Sequence, residues 1–347
     1  MMTDWELLRR LSEARGVSGQ EDEVRSIILE EIRPYAEKIT ISPLGNIIAY
    51  RKGKKRAPKT LMISAHMDEV GMAVTHITDG GMLKFSTVGG IDRRILPGKS
   101  VTVGNGVHGV VGVKPIHLLK KDETEKSVPV EELYLDIGAR SREEAEKAVR
   151  PGDAVTFDSV FQAENGTVMG RALDDRAGCA VLTELMKAEP EYDLVFTFVV
   201  QEEVGLYGAK TAAFSVNPDA AIVVEATTAA DVPGVDREKQ VCRLGEGPVI
   251  SFMDRRTVYD REYYRMAFRA AEKAGVKCQA KQAVAGGNDA GAIHTVRGGV
   301  RTAAVSLPCR YLHSAVGLIA QEDFLAAPKL IAVLAEMIEE ERPERNN

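Results

Sequence analysis

His66-Met67-Asp68 places an imidazole and a carboxylate two residues apart, just after the apolar run Leu61-Met62-Ile63-Ser64-Ala65. If that run is a strand, its period of two puts both side chains on one side. The imidazole can then ligate a metal ion while the carboxylate orients the ring. A lone histidine is more often structural, and the pair carries little by itself. Its position adds weight, because α/β sheets bind ligands at the carboxyl ends of their strands. Asp174-Asp175-Arg176 follows Gly170-Arg171-Ala172-Leu173 and opens a helical pattern. These acids can cap the helix with a favourable first-turn charge, or supply a carboxylate that bridges two cations. Gln201-Glu202-Glu203-Val204-Gly205 sets two adjacent acids directly after the apolar run 194–200. A turn needs one charge at most. Neighbours in a strand point oppositely, so one glutamate can bind metal while the other holds a water for deprotonation.

Glu225 follows a further apolar run, 220–224, and His313 lies just past another, 302–307. Four separate strands thus end in a metal-capable residue or pair. Chance accounts for any one of them but not for all four. Every donor is nitrogen or oxygen, which suits zinc, cobalt or manganese better than a thiolate zinc site.

The elements that must position these residues alternate between strands and helices, so the fold class is α/β. Thr3 can cap a helix running to about Ala14, with Trp5, Leu8 and Leu11 at helical spacing. Ser18 is expected to start a second helix, with Val24, Ile27, Ile28 and Ile32 on one face. Residues 38–50 read as a hairpin turned at Leu44-Gly45-Asn46. From 71 to 165 the texture changes to short β-rich pieces at 72–77, 82–88, 100–103, 109–114, 133–137 and 154–157, broken by Gly and Pro. One helix is expected there, near 141–149, with Ser141 as its cap and Glu143 and Glu144 in its first turn. Long amphipathic helices return at 175–188, 260–274 and 321–341, alternating with the apolar strands. The economical organisation is one α/β domain, 1–70 and 166–347, built on a mixed sheet flanked by helices and interrupted by a β-rich insertion at 71–165.

Composition narrows the function classes. The chain has 347 residues, 44% hydrophobic and 28% charged, so it is globular rather than disordered. Its net charge of −6 gives no global attraction for nucleic acid or an anionic membrane. No apolar run approaches the ~18 residues of a membrane helix. The opening Met1-Met2-Thr3-Asp4-Trp5-Glu6 lacks the pattern of a secretory signal. Cys179, Cys242, Cys278 and Cys309 are scattered, which argues against a disulfide framework and suits the cytoplasm.

The stretches Ser64-Ala65-His66-Met67-Asp68-Glu69-Val70-Gly71, Ala172-Leu173-Asp174-Asp175-Arg176, Gln201-Glu202-Glu203-Val204-Gly205 and Arg310-Tyr311-Leu312-His313-Ser314 resemble those of the dinuclear tetrahedral aminopeptidases. That family is also labelled glutamyl aminopeptidase or endoglucanase. Asp231-Val232-Pro233-Gly234 and Gly286-Gly287-Asn288-Asp289-Ala290 are similar to further segments of it. The resemblance covers about residues 5–340 and implies a zinc-exopeptidase-like fold with an inserted PDZ-like domain. It implies that His66 and Glu225 hold one divalent metal, that Glu203 and His313 hold the other, and that Asp174 bridges them. It makes Glu202 the general base and Asp68 the support of His66. It also implies a homo-oligomer, a dodecamer built from dimers through the insertion, that removes N-terminal residues from short peptides. Glu225 departs from the family's usual Asp; one extra methylene still reaches a metal. Cys309, near His313, is a second departure, either inert or sensitive to oxidation.

Other readings are weaker. His76, His108, His117 and His294 have no carboxylates near them in sequence and are read as structural. A two-metal deacylase would use the same ligands without needing a free amine. A glycosidase needs two carboxyls about 5–9.5 Å apart across a sugar, and no histidines arrayed with them. With one Trp and 5% aromatics, the chain is poor in the rings that line sugar sites. A metal-binding scaffold without turnover has no use for an unligated glutamate beside a ligand.

Overall fold

The structure is a computed structural model that describes residues 5–120 and 126–341. In chain order the first elements are α1 (Glu6–Glu13), α2 (Asp22–Ile32), β1 (Lys38–Ile41), β2 (Ile47–Arg51) and β3 (Leu61–His66). Strands β4 (Gly71–Ile77), β5 (Leu83–Val88), β6 (Ser100–Val103), β7 (Val107–Gly112) and β8 (Tyr134–Asp136) follow, then α3 (Arg142–Ala145) and β9 (Ala154–Phe157). The chain continues through β10 (Gln162–Glu164), β11 (Thr167–Gly170), α4 (Leu173–Lys187), β12 (Leu194–Val199), α5 (Tyr207–Val216) and β13 (Ala220–Thr228). It ends with β14 (Val249–Ile250), α6 (Arg261–Ala274), β15 (Gln279–Ala280), α7 (Ala290–Ile293), β16 (Arg301–Cys309), β17 (Gly317–Ala320) and α8 (Gln321–Glu340).

An eight-stranded sheet in the order β1-β2-β12-β3-β13-β16-β14-β15 forms the centre. Its four middle strands, β12, β3, β13 and β16, run parallel. β2 and β14 pair antiparallel to this block, so the sheet is mixed as expected. β3 and β12 are buried at every residue. Parallel strands covered on both faces must read as continuous apolar runs, and these do. Alternate residues serve opposite layers. Ile63, Ala65, Ile222, Val224, Val305 and Leu307 face one core with residues of α1, α2, α4, α6 and α8. Met62, Ala221, Val223 and Ala304 face a second core with α5 and α7. Each large aliphatic side chain so buried contributes roughly 1.5–3 kcal/mol. A sheet held this firmly can carry strained loops at its carboxyl edge.

Strands β4–β9 close into a six-stranded barrel in the order β4-β5-β8-β7-β6-β9. Its core centres on Met72, Val74, Phe85, Val101, Leu135 and Phe157, and Ala315 from the loop after β16 packs into it. The helix expected over 141–149 is shorter, Arg142–Ala145, although Ser141 caps it by accepting from the Glu144 amide at 3.3 Å. β10 does not join the barrel; it pairs with β11, which pairs with β17.

Two helix starts differ from expectation. Thr3 lies outside the described residues, and α1 begins at Glu6 with no side-chain cap. Ser18 does not start α2, which begins at Asp22. The Ser18 hydroxyl instead donates to Asp68 Oδ2 at 2.6 Å, a buried charged acceptor that a helix cap cannot match.

Candidate metal centre

His66 closes β3 and is 1% exposed. Its Nδ1 lies 3.1 Å from the main-chain carbonyl of Asp68. A carbonyl only accepts, so Nδ1 donates there and Nε2 is the ring nitrogen that faces the site. Nε2 stands 3.1 Å from Glu225 Oε1 and 3.3 Å from Asp174 Oδ1. Glu225 sits within β13, which runs on to Thr228 rather than ending at residue 224. The strand continues because Glu225 pairs in register with Ser306 of β16.

Asp174 and Asp175 open α4 but depart from helical geometry, with ψ 105° and 40°. The departure turns their carboxylates apart. Asp175 faces inward and accepts the amides of Gly178 at 3.1 Å and His66 at 3.3 Å. Asp174 faces the site. Its Oδ1 meets His66, and its Oδ2 lies 3.6 Å from His313 Nε2. That same Nε2 is 3.2 Å from Glu203 Oε2.

His313 comes from the loop between β16 and β17, where Tyr311 and His313 both take left-handed backbone angles, φ 62° and 55°. Such angles are strained for residues other than glycine and need support. Arg310 supplies it through a two-bond pair with Asp231 at 2.8 and 2.7 Å. Ser314 adds a hydroxyl bond to the Tyr311 carbonyl at 2.7 Å. The barrel also approaches here. A Cβ built on Gly89 would lie 3.3 Å from Glu203 Cβ, and one on Gly90 3.5 Å from His313 Nδ1.

Asp68 holds the glutamate pair from below. Its Oδ1 accepts the Glu202 amide at 2.9 Å and its Oδ2 the Glu203 amide at 3.2 Å. Oδ1 is also 3.4 Å from His66 Nδ1, so the nearer contact that orients the ring is Asp68's carbonyl rather than its carboxylate. The Met67–Glu69 turn is fixed by Arg176, fully buried, which donates to the Met67 carbonyl at 2.7 Å and to Glu69 Oε1 at 3.2 Å. Glu69 also pairs with buried Arg171. Neither arginine stands out in the sequence as more than a helix-opening charge.

The electrostatics follow from crowding. Burial first, then the charge of His66 opposing it and of Asp174 reinforcing it, brings Glu202 to about 7. Burial and the Asp174 charge bring Glu203 to about 8. Glu225 is pushed well up by burial. Burial lowers His313, but its hydrogen bond to Asp174 and the Glu203 charge win and raise it to about 9. Asp68 stays ionised: burial raises it, and its bonds to His66, Ser18 and the Glu202 amide outweigh that.

These groups fit divalent cations. The oxygen and nitrogen donors of His66, Asp174 and Glu225 lie within 4.8 Å of one another, as do those of Asp174, Glu203 and His313. Glu225 Oε2 is buried without a hydrogen-bond partner, a costly state for a carboxylate that no cation meets. The donor set is hard to borderline, without thiolate. Cys309 adds none: its thiol is buried, pushed up by burial and then by Asp174, and therefore protonated and unreactive. His76, His108 and His117 are exposed on the barrel and its loops, and His294 bonds within its own turn to the Ala290 carbonyl at 2.6 Å. A cavity of about 160 Å³ opens beside the cluster, lined in part by Glu202, Glu225, Thr227, Lys281, Asn288 and His313.

The chain is similar to known proteins over nearly its whole length. Residues 45–330 match the family model described as M42 glutamyl aminopeptidase. The lysyl aminopeptidase of Pyrococcus furiosus is 35% identical, over 96% of this chain and 97% of its own. The crystal structure of the TET aminopeptidase from the marine sediment archaeon Thaumarchaeota archaeon SCGC AB-539-E09 superposes with a TM-score of 0.91 at 37% identity, covering 95% of this chain and 94% of that one. The TET1 peptidase of Pyrococcus horikoshii, described as able to assemble into a tetrahedron or a large octahedral shell, has a TM-score of 0.85 at 37% identity, covering 95% and 98%. An α/β sheet whose parallel strands deliver two histidines and a set of buried carboxylates to one edge, matched over nearly its whole length, belongs to the M42 aminopeptidase family.

Proposed function

We propose that this chain is a two-metal aminopeptidase in which His66 and Glu225 hold one divalent cation, Glu203 and His313 hold the second, and Asp174 contacts both. The observation that carries the assignment is the two-sided Asp174, one oxygen toward His66 and the other toward His313. Zinc, cobalt and manganese all suit these donors. Bound there, the cations polarise the scissile carbonyl and lower the pKa of the attacking water.

The chain's own residues do the rest. Glu202, which lines the cavity together with Glu203, takes the proton of the attacking water and delivers it to the leaving amine. Asp68 fixes the backbone from which Glu202 projects. The site accepts the substrate's free α-amine, either as ammonium beside its carboxylates or as a neutral amine that a bound metal would take. The segment 71–165, a PDZ-like domain in this reading, serves assembly of a homo-oligomer, a dodecamer built from dimers. The remainder, 1–70 and 166–347, is the catalytic domain. Among the described residues no helix is long and apolar enough to cross a membrane, and the four cysteines are free, which fits a cytoplasmic enzyme.

The test is cleavage of a short peptide and its N-acetylated counterpart after reconstitution with each metal. The acetylated terminus leaves buried polar groups unpaired, so it should be cut at least ~10²-fold more slowly. Equal rates would favour a deacylase. Light scattering that returned a monomer at working concentration would remove the assembly claim and leave the chemistry standing.

A further inference from the structure

A second cavity, of about 90 Å³, lies at the edge of the central sheet opposite the metal centre. Ile63 and Leu194, near the starts of β3 and β12, form part of its floor with Leu185 of α4 and Ala335 of α8. Helix α4 spans the two places. Asp174 opens it at the metal centre and Leu185 lies near its other end, a separation of roughly 15 Å at about 1.5 Å per residue. Four acids surround the apolar floor: Glu189 and Glu191 from the loop before β12, and Glu336 and Glu339 from α8. Ala332, Glu336 and Glu339 share one face of that helix. Ala332 is exposed, and its short side chain leaves the mouth open.

Glu339 is the innermost of these acids, 2% exposed. Its Oε2 accepts the Lys59 amide at 3.2 Å, and its Oε1 is buried with no hydrogen-bond partner. The neighbouring cations are committed elsewhere. Lys59 Nζ donates to the Ile338 carbonyl at 2.8 Å and to Glu341 at 3.2 Å, and Lys55 pairs with Glu191 at 2.7 Å. Among the described residues no cationic side chain lies within ion-pair distance of Glu339. A carboxylate left so is costly, and the missing partner is a hydrogen-bond donor that carries positive charge. The cavity sets its shape. One water needs roughly 10–15 Å³ of such space, so there is room for a chain of several carbons. One buried oxygen over an apolar floor does not suit calcium or magnesium, which take about six oxygens each. A free amino acid brings a carboxylate of its own into a ring of acids. An amine on an aliphatic chain satisfies both the buried oxygen and the floor.

We propose that this cavity is a second ligand site, separate from the metal centre, that binds a free alkylammonium ion. The ammonium pairs with Glu339 Oε1 at the inner end, and its chain lies along Leu185, Leu194 and Ala335. Charge-assisted hydrogen bonds of this kind are stronger than neutral ones, and the apolar floor keeps water from competing. Glu189, Glu191 and Glu336 attract the cation to the mouth and repel anions from it. The inference does not depend on the aminopeptidase reading, because none of its residues belongs to the proposed metal site.

The test is calorimetric titration of the metal-loaded full chain with n-hexylammonium, 1-hexanol and ammonium chloride. It is run at pH 8, above the value of about 7 to which burial raises Glu339. Hexylammonium should bind saturably. Hexanol, which keeps the chain and loses the charge, should bind at least ~10-fold more weakly, and so should ammonium chloride, which keeps the charge and loses the chain. Glu339→Gln preserves the shape and should weaken hexylammonium at least ~10-fold. Ala332→Lys alters an exposed helix position and sets an ammonium of the chain's own at the mouth, so it should block the site. Both variants should cleave peptides at the wild-type rate. Absence of saturable binding overturns the inference, and so does equal binding of hexanol. Hexylammonium that binds Glu339→Gln or Ala332→Lys as tightly as wild type is held elsewhere, at the metals or the substrate cavity, and overturns it as well.

Discussion

Asp68 accepts the main-chain amide of Glu202 at 2.9 Å, although 134 residues separate them in the chain. The bond ties the loop after β12 to the turn after β3, and thereby sets the aim of Glu202 relative to His66. Ser18 and Glu203 donate to the other oxygen, so the carboxylate is filled from both sides. Asp68→Ala removes the acceptor of all three donors while leaving every proposed ligand in place. Metal affinity or kcat should fall by about 10–100-fold, the usual loss when a residue behind a ligand is removed. Asp68→Asn keeps part of the acceptor capacity and should lie between the two. Unchanged kcat and metal affinity in Asp68→Ala would show that the loop holds itself.

Glu202→Gln keeps the shape and removes the proton acceptor. Turnover should fall by about 10²–10⁴-fold while two metals per chain remain bound. Elemental analysis and kinetics on the same sample check both halves. A mutant that keeps more than about a tenth of the rate contradicts the base assignment, and one that loses a metal makes Glu202 a ligand.

His313 is the most exposed group of the cluster, its side chain 39% accessible, and it rests on a strained loop. His313→Ala should therefore release one metal per chain and most of the activity, and leave the His66 side loaded. Titration with zinc or cobalt followed by calorimetry would show one remaining tight site. Two sites at unchanged affinity would remove His313 from the ligand set.

Much of this site could be read from residue types, because its acids and histidines sit at the ends of apolar runs and such ends form one edge of an α/β sheet. What could not be read depends on approach in space. Ser18 looks like a helix cap until Asp68 is seen beside it. Arg176 looks like a first-turn charge, yet it is buried against Met67 and Glu69. The Arg310–Asp231 pair links two recognised stretches across 79 residues, and no local pattern announces it. Glu225 marks the end of its apolar run but not of its strand, since pairing with β16 carries β13 past it. Gly89 and Gly90 are turn residues in sequence. Only the closed barrel brings them against Glu203 and His313.

Glu339 offers a test of the fold that does not touch the metal centre. It lies near the end of α8, 2% exposed, with Oε2 accepting the Lys59 amide at 3.2 Å and Oε1 without a partner. Burial raises its pKa to about 7, against the opposing Lys59 bond and charge. A raised acid binds its proton more tightly in the folded state than in the unfolded one. Its contribution is fully present below the ordinary glutamate value near 4.5, and it is lost as pH rises through about 7. The loss is at most roughly 3 kcal/mol, at 1.36 kcal/mol per pH unit. Glu339→Gln keeps an acceptor for Lys59 and has no proton to lose. Its stability relative to wild type should therefore climb between pH 5 and pH 8, by about 1–3 kcal/mol. Denaturant unfolding of both proteins at pH 5, 6, 7 and 8 measures this directly. A difference that stays flat with pH would show that Glu339 ionises as freely in the folded chain as in the unfolded one.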